Sequence, residues 1–188
     1  MSWRRLVGAV VTIGAIAIVA VRFFAATREG LERTRAAACR ALAPDPVPPS
    51  LLNRDAPDFE LGDAEGRSIS LRSQRGHPVF LNFWATWCPP CTEEMPSMET
   101  LAAGIEGSDI RALAVSVDDG WTPIRSFFAR GTRLGVLLDT SREVPKKYTT
   151  EKFPETFFID AQGRVRLYFI NKRDWSKPEA IACLESLR

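Results

Sequence analysis

Histidine and cysteine are scarce in this chain of 188 residues: His77 stands alone, and the cysteines are Cys39, Cys88, Cys91 and Cys183. A structural zinc takes four such ligands, usually in two close pairs. Only Cys88 and Cys91 are close, so no zinc-type donor set is complete and no metal is expected. Basic residues are missing where nucleic acid would need them. Beyond residue 43 the chain has 18 Lys and Arg against 21 Asp and Glu, with no basic stripe, whereas phosphate recognition requires cations clustered on one face. The sequence holds no internal repeat or low-complexity tract. Hydrophobic residues at 45% and charged residues at 26% exclude disordered, collagen-like and multi-span membrane classes. The length suits one well-buried domain with an attached segment.

The attached segment differs in charge from the rest. Through Ala43, seven arginines face Glu29 and Glu32. Leu6 to Val21 carries no charge, Arg22 can snorkel toward headgroups, and Phe23 to Ala26 is apolar. Residues 6–26 as one helix, at about 1.5 Å per residue, cross a hydrocarbon core of about 30 Å. Residues 1–26 are therefore expected to be a single-pass transmembrane anchor. Arg4 and Arg5 keep the N-terminus cytoplasmic, which places the remainder on the periplasmic or exterior side of an inner membrane. A cleaved signal peptide shares these features, although no clean small-x-small cleavage site follows the apolar run. Ala37-Ala38-Cys39 resembles a lipoprotein site only superficially, because charged residues separate it from that run. Residues 27–42 are rich in helix formers and read as a stem. Pro44, Pro46, Pro48 and Pro49 then read as an extended, semi-rigid spacer. Residues 27–54 are thus stem and linker, and residues 55–188 the folded domain.

Within that domain, residues 58–61 and 68–71 alternate polar and apolar side chains around Gly62 to Gly66, as a hairpin does. Val79 to Trp84 is a nearly continuous apolar run, the pattern of a strand covered on both faces. Helix signals follow Cys91, with a break expected at Pro96. Further elements are a strand over residues 110–117, a helix over 123–129, a strand over 136–138, a hairpin of 157–159 with 165–170, and a closing helix over 177–187. Alternating strands and helices ending in a hairpin and helix indicate an α/β sandwich around a mixed sheet.

The chemistry sits at Cys88-Pro89-Pro90-Cys91, between the apolar strand and a helix. That junction brings the first sulfur to unpaired backbone donors and the positive end of a helix dipole, which favours thiolate. Thiolate is the form that attacks a disulfide. Cys88 is accordingly the attacking thiol and Cys91, one turn inside, the resolving one. Half a zinc site and a plain structural disulfide are the alternatives for any such pair. The missing partner ligands weigh against the first, and the exposed, aromatic-flanked position against the second.

Phe83-Trp84-Ala85-Thr86-Trp87-Cys88-Pro89-Pro90-Cys91 resembles the active site of the thioredoxin superfamily. The match is to its TlpA/ResA-like and CcmG/DsbE-like branch, supported by Ala56-Pro57-Asp58-Phe59, Glu94-Met95-Pro96 and Phe153-Pro154-Glu155-Thr156-Phe157-Phe158-Ile159-Asp160. The resemblance covers most of residues 56–160. It implies a thioredoxin-like three-layer α/β/α sandwich, a membrane-tethered reductant of protein disulfides, and a thiol protein or membrane conduit as electron donor. Cytochrome c maturation and copper-oxidase assembly are the processes it suggests, and no cofactor is implied. Pro154 corresponds to the family's cis-proline, the one bond type where cis is cheap; with Phe153 and the flanking Trp87 it would face substrate. Glu94 matches an acidic residue placed near the cysteine pair, and i,i+3 spacing sets it on the same helical face as Cys91. A carboxylate there could take the proton of Cys91 if burial raises its pKa. Asn82 stands where classical thioredoxins carry a buried Asp, leaving Glu94 as the available acceptor.

Pro89 and Pro90 lack N–H groups, which removes two potential donors to a Cys88 thiolate and should move the pair toward the reducing end of the scale. Spacing alone leaves open an oxidase or isomerase, or a copper chaperone of the same fold. The chaperone would want a third ligand, for which His77 is the candidate. A peroxidase on this fold would normally present a lone cysteine following a Thr or Ser. Cys183 reads as a small buried apolar residue, with a Cys39–Cys183 bridge or a Cys39 bridge between stems both open outside the cytoplasm. Asp118 and Asp119 read as solvated loop acids.

Overall fold

The computed structural model describes residues 19–27, 30 and 33–188. Most of the expected anchor lies outside these residues. Among the described residues no helix is long and apolar enough to cross a membrane.

The chain forms strands β1 (Glu60–Asp63), β2 (Ser68–Ser70), β3 (Val79–Trp84), β4 (Arg111–Ser116), β5 (Gly135–Leu138), β6 (Glu155–Ile159) and β7 (Val165–Ile170). Helices are α1 (Pro89–Gly104), α2 (Trp121–Phe127), α3 (Glu143–Lys147) and α4 (Pro178–Glu185). The strands make one sheet in the order β2-β1-β5-β4-β3-β6-β7. β3, β4 and β5 run parallel, while β6 is antiparallel to both β3 and β7, so the sheet is mixed. Every residue of β3 is buried, which its apolar run anticipates. Strand alternation sorts its side chains between two cores. Phe80 and Trp84 pack with Met95, Met98 and Leu101 of α1 and Ala180, Cys183 and Leu184 of α4. Val79, Leu81 and Phe83 pack on the opposite face with Phe59, Val144 and Tyr148. These are the three expected layers. Asn82 shares parity with Phe80 and Trp84 and so turns its amide toward α1.

Two expectations need correction. Helix α1 begins at Pro89 and continues through Pro96 for 16 residues instead of starting after Cys91 and breaking. Prolines suit the first helical positions, where N–H groups have no intrahelical acceptor anyway. The interior proline costs about 3 kcal/mol of helix stability. Full burial of Met95, Met98 and Leu101, at roughly 1.5–3 kcal/mol each, offsets it.

The second correction concerns the stem and spacer. Residues 33–41 are helical, Ala38 is buried, and Cys39 forms a disulfide with Cys183 of α4. The proline-rich stretch lies on the domain. Asp45, between two prolines, donates its N–H to the carbonyl of Tyr168 at 2.8 Å, an isolated antiparallel bridge on the outer edge of β7. Prolines cannot donate to a ladder, so the pairing stops there, yet the exposed edge is covered. Farther on, Asn53 donates to Val165 and Val165 to Arg54, and Leu51 is buried in the second core. The packed unit therefore starts ahead of residue 55, because extended proline-rich backbone fits an open sheet edge as readily as it spans solvent.

The Cys39–Cys183 bridge closes a loop of 144 residues. A C39S/C183S variant should lose about 2–4 kcal/mol of unfolding free energy in urea, because the unfolded chain regains loop freedom. Equal stability would show that the stem is not locked to the domain.

Candidate functional site

β3 ends at Trp84 and α1 begins at Pro89, with Cys88 as the extended N-cap residue. Cys88 and Cys91 are joined in a disulfide. Cys91 is completely buried, and Cys88 is 6% exposed. Of the two, only Cys88 keeps any exposure. Trp87 beside it is 55% exposed, an unusual position for a large aromatic ring. Its ring lies 6.2 Å from that of Phe153. The Phe153–Pro154 peptide bond is cis, and the Phe153 carbonyl oxygen is 3.6 Å from Cys88 Sγ. The five residues Trp87, Cys88, Cys91, Phe153 and Pro154 are thus brought together at one end of the sheet.

The loop before Cys88 is held by an acid that the sequence reading assigned to solvent. Asp118 is 1% exposed. Its carboxylate accepts from the Thr86 N–H at 3.0 Å, the Thr86 hydroxyl at 2.6 Å and the Ser116 hydroxyl at 2.7 Å. The parallel pairing of β3 with β4 sets Ser116 opposite Trp84, so an acid just past β4 falls under the loop just past β3; that register was the available signal. Asp119 is exposed as expected and pairs with Arg142 at 2.9 Å. Arg142 is left-handed, with φ of 59°, and its guanidinium sits 5.8 Å from the Trp87 ring centroid. No local pattern marked Arg142, since its contact depends on a chain reversal before α3.

Glu94 is buried, one turn past Cys91. Its Oε1 accepts the main-chain N–H of Arg173 at 2.9 Å and the indole N–H of Trp175. Its Oε2 accepts a longer bond from the Asn82 amide, 3.4 Å, while that amide also donates to Thr156 Oγ1 at 2.9 Å. Burial raises the Glu94 pKa to about 7, against the opposing pull of those donors and of the Arg173 charge. The group is therefore poised to take or give a proton near neutrality. Arg173 and Trp175 follow β7 in a loop with no sequence signature, and nothing short of the fold connects them to α1. A second buried carboxylate, Glu155 beside Pro154, is also raised by burial.

Among the described residues no group of three His, Cys, Asp or Glu is placed to hold a metal. His77 precedes β3 and the cysteine pair follows it. At about 3.3 Å per residue the six-residue strand separates them by nearly 20 Å, so His77 cannot be a third ligand.

Fold and cysteine pair together define a thioredoxin-fold protein with a disulfide at its central strand–helix junction. The AhpC/TSA family model matches residues 52–168, and the chain belongs to that family. It is 38% identical over 112 residues to the thiol-disulfide oxidoreductase ResA of Bacillus subtilis strain 168, covering 59% of this chain and 63% of that one. Identity is 40% over 112 residues with ResA of Geobacillus thermodenitrificans strain NG80-2, covering 59% and 64%. The match thus spans less than two thirds of these relatives. Among solved structures, a candidate thiol:disulfide interchange protein DsbE from Chlorobium tepidum superposes with a TM-score of 0.64 at 29% identity, covering 71% of this chain and 97% of that one. A thioredoxin-family thiol:disulfide interchange protein from Chlorobium tepidum TLS, at 23% identity and a TM-score of 0.63 over 72% and 97%, shares the fold.

An unfolded glutamate ionises near 4.5, whereas the folded protein retains the Glu94 proton up to about pH 7. The stabilisation linked to the neutral carboxyl is complete below the lower value and lost as pH rises through the upper one. E94Q should remove that loss, up to about 3 kcal/mol, seen in urea titrations of the oxidised chain across that pH interval. Parallel profiles for wild type and variant would contradict a buried, neutral Glu94.

Proposed function

We propose that the chain is a thiol-disulfide oxidoreductase working as a reductant of protein disulfides outside the cytoplasm, tethered to the inner membrane by residues 1–26. The observation that carries the direction is the setting of the Cys88 sulfur. The two helical positions after it are prolines without N–H groups, and the Phe153 carbonyl oxygen, the negative end of that dipole, lies 3.6 Å from it. Both withhold stabilisation from a thiolate and so favour giving electrons up. The ResA relatives support the reaction class.

In the reduced state Cys88 thiolate attacks one sulfur of a client disulfide, forming a mixed disulfide and expelling the client's other sulfur as thiolate. Glu94 takes the proton of Cys91, whose thiolate then attacks Cys88 Sγ. The second client sulfur leaves, and the Cys88–Cys91 disulfide forms. Two electrons pass to the client, and a thiol donor restores the pair. Trp87, Phe153 and Pro154 receive the client backbone around the Cys88 sulfur. Precursors of c-type cytochromes and copper-site proteins of oxidase assembly are the client classes that this reading favours.

The test is covalent capture with the full chain. C91S, reduced and mixed with disulfide-bearing membrane and periplasmic proteins, should accumulate adducts linked through Cys88 that dithiothreitol releases, while C88S captures none. Adducts on Cys91 in C88S, or none in either variant, would overturn the cysteine roles.

A further inference from the structure

The segment ahead of the domain reaches the proton acceptor. Asp45 Oδ2 accepts two bonds, from the Ile170 N–H at 2.8 Å and from Arg173 Nη2 at 2.7 Å. Ile170 is the last residue of β7, and Arg173 lies three residues into the loop that follows. One carboxylate oxygen thus spans the root of that loop. The other side of Arg173 is committed to α1: its N–H donates to Glu94 Oε1, and its carbonyl accepts from Ser97 Oγ at 3.3 Å. Two residues on, Trp175 adds its indole N–H to the same Glu94 oxygen. Asp45 is itself fixed, by its N–H on Tyr168 and, six residues earlier, by the Cys39–Cys183 bridge.

We infer that Asp45 is a positioning residue for Glu94: by clamping Ile170 and Arg173 it sets the loop so that the Arg173 and Trp175 N–H groups both meet the Glu94 carboxylate. This rests on the reading of Glu94 as the proton acceptor for Cys91. The charged and titratable groups around Glu94 are Cys91 and Glu93 on its own helix, Arg173 and Lys172 on the loop, and Asp45 behind Arg173. Glu93 and Lys172 pair with each other. Strands β3 and β6 present Asn82 and Thr156.

Two effects of removing the Asp45 carboxylate have opposite signs. Releasing the loop withdraws donors from the ionised Glu94, which raises the pH at which it titrates. Leaving the Arg173 charge uncompensated lowers it. Positioning predicts the first. The ionised form should lose the equivalent of one charge-assisted hydrogen bond, an upward shift of about one pH unit.

The measurement is a carboxyl carbon NMR titration of Glu94 in the oxidised full-length chain in detergent, its signal assigned by its loss in E94Q. D45A should titrate about one unit higher than wild type, and D45N, which keeps a weaker acceptor for Ile170, by less. R173A combined with D45A should shift Glu94 no further than the larger single change, because the two residues act as one clamp. An unchanged or lowered Glu94 midpoint in D45A and D45N, or additive shifts in the double variant, would overturn the inference. Resolution of a mixed disulfide by Cys91, followed against pH, separates the two claims. A Glu94 shift in D45A with no dependence of that rate on E94Q would sink the proton-acceptor role and leave the clamp standing.

Discussion

A helix N-terminus presents backbone N–H groups with no intrahelical acceptor and a concentrated positive dipole, and it attracts whatever negative charge is placed there. At the start of α1 that attraction is blunted. Pro89 and Pro90 take the two positions that would donate nearest Cys88, and the first backbone donors, from Cys91 and Thr92, turn back to the Cys88 carbonyl at 3.0 and 3.1 Å. The junction remains a place where the Cys88 sulfur sits at the end of a rigid strand with little residual exposure, without the full complement of donors. Every other feature of the site adapts to that arrangement: β3 is buried on both faces so the junction cannot drift, Asp118 fastens Thr86 beneath it, and the Phe153 carbonyl closes the outer side.

Such a site divides its labour between two environments. Cys88 keeps a small exposure beside Trp87, which is 55% exposed. Cys91 and Glu94 lie in the interior, at 0% and 2% exposure. A buried carboxylate without donors would not ionise near neutrality, and one with ordinary solvation would ionise far below it. Glu94 lies between these limits because Arg173, Trp175 and Asn82 supply part of what water would. The interior network extends to the proline-rich segment ahead of β1, since the loop that carries two of those donors is braced by Asp45. The stem from residue 33 and the domain are thus one packed unit, which gives the Cys39–Cys183 bridge a mechanical reason: it ties the stem to α4, adjacent to that same loop.

The parts of this architecture that depend on short-range pattern were legible in the sequence. β3 announced itself as an apolar run, the hairpin of β6 and β7 through the paired runs at 157–159 and 165–170, and the dithiol through its place between strand and helix. The register Asn82 to Thr156 and the reach of Trp175 to Glu94 were not, because they arise from strand order and a loop crossing α1, both long-range properties. Pro96 misled because an isolated helix would break where a helix packed on a sheet does not. Pro44 to Pro49 misled because extended backbone has two uses, spacing and edge-covering, with the same local signature. Asp118 was misjudged for a related reason: a carboxylate beyond a strand end is solvated unless the neighbouring strand delivers donors to it.

The equilibrium potential of the Cys88/Cys91 pair decides between a reductant and an oxidant. The full-length chain would be equilibrated in thiol buffers of graded ratio and alkylated, with modified Cys88 and Cys91 counted by peptide mass so that Cys39 and Cys183 do not interfere. A midpoint at or below about −250 mV, close to that of thioredoxin, is the predicted result. A midpoint near about −120 mV would identify an oxidant and contradict the role assigned to Pro89, Pro90 and the Phe153 carbonyl.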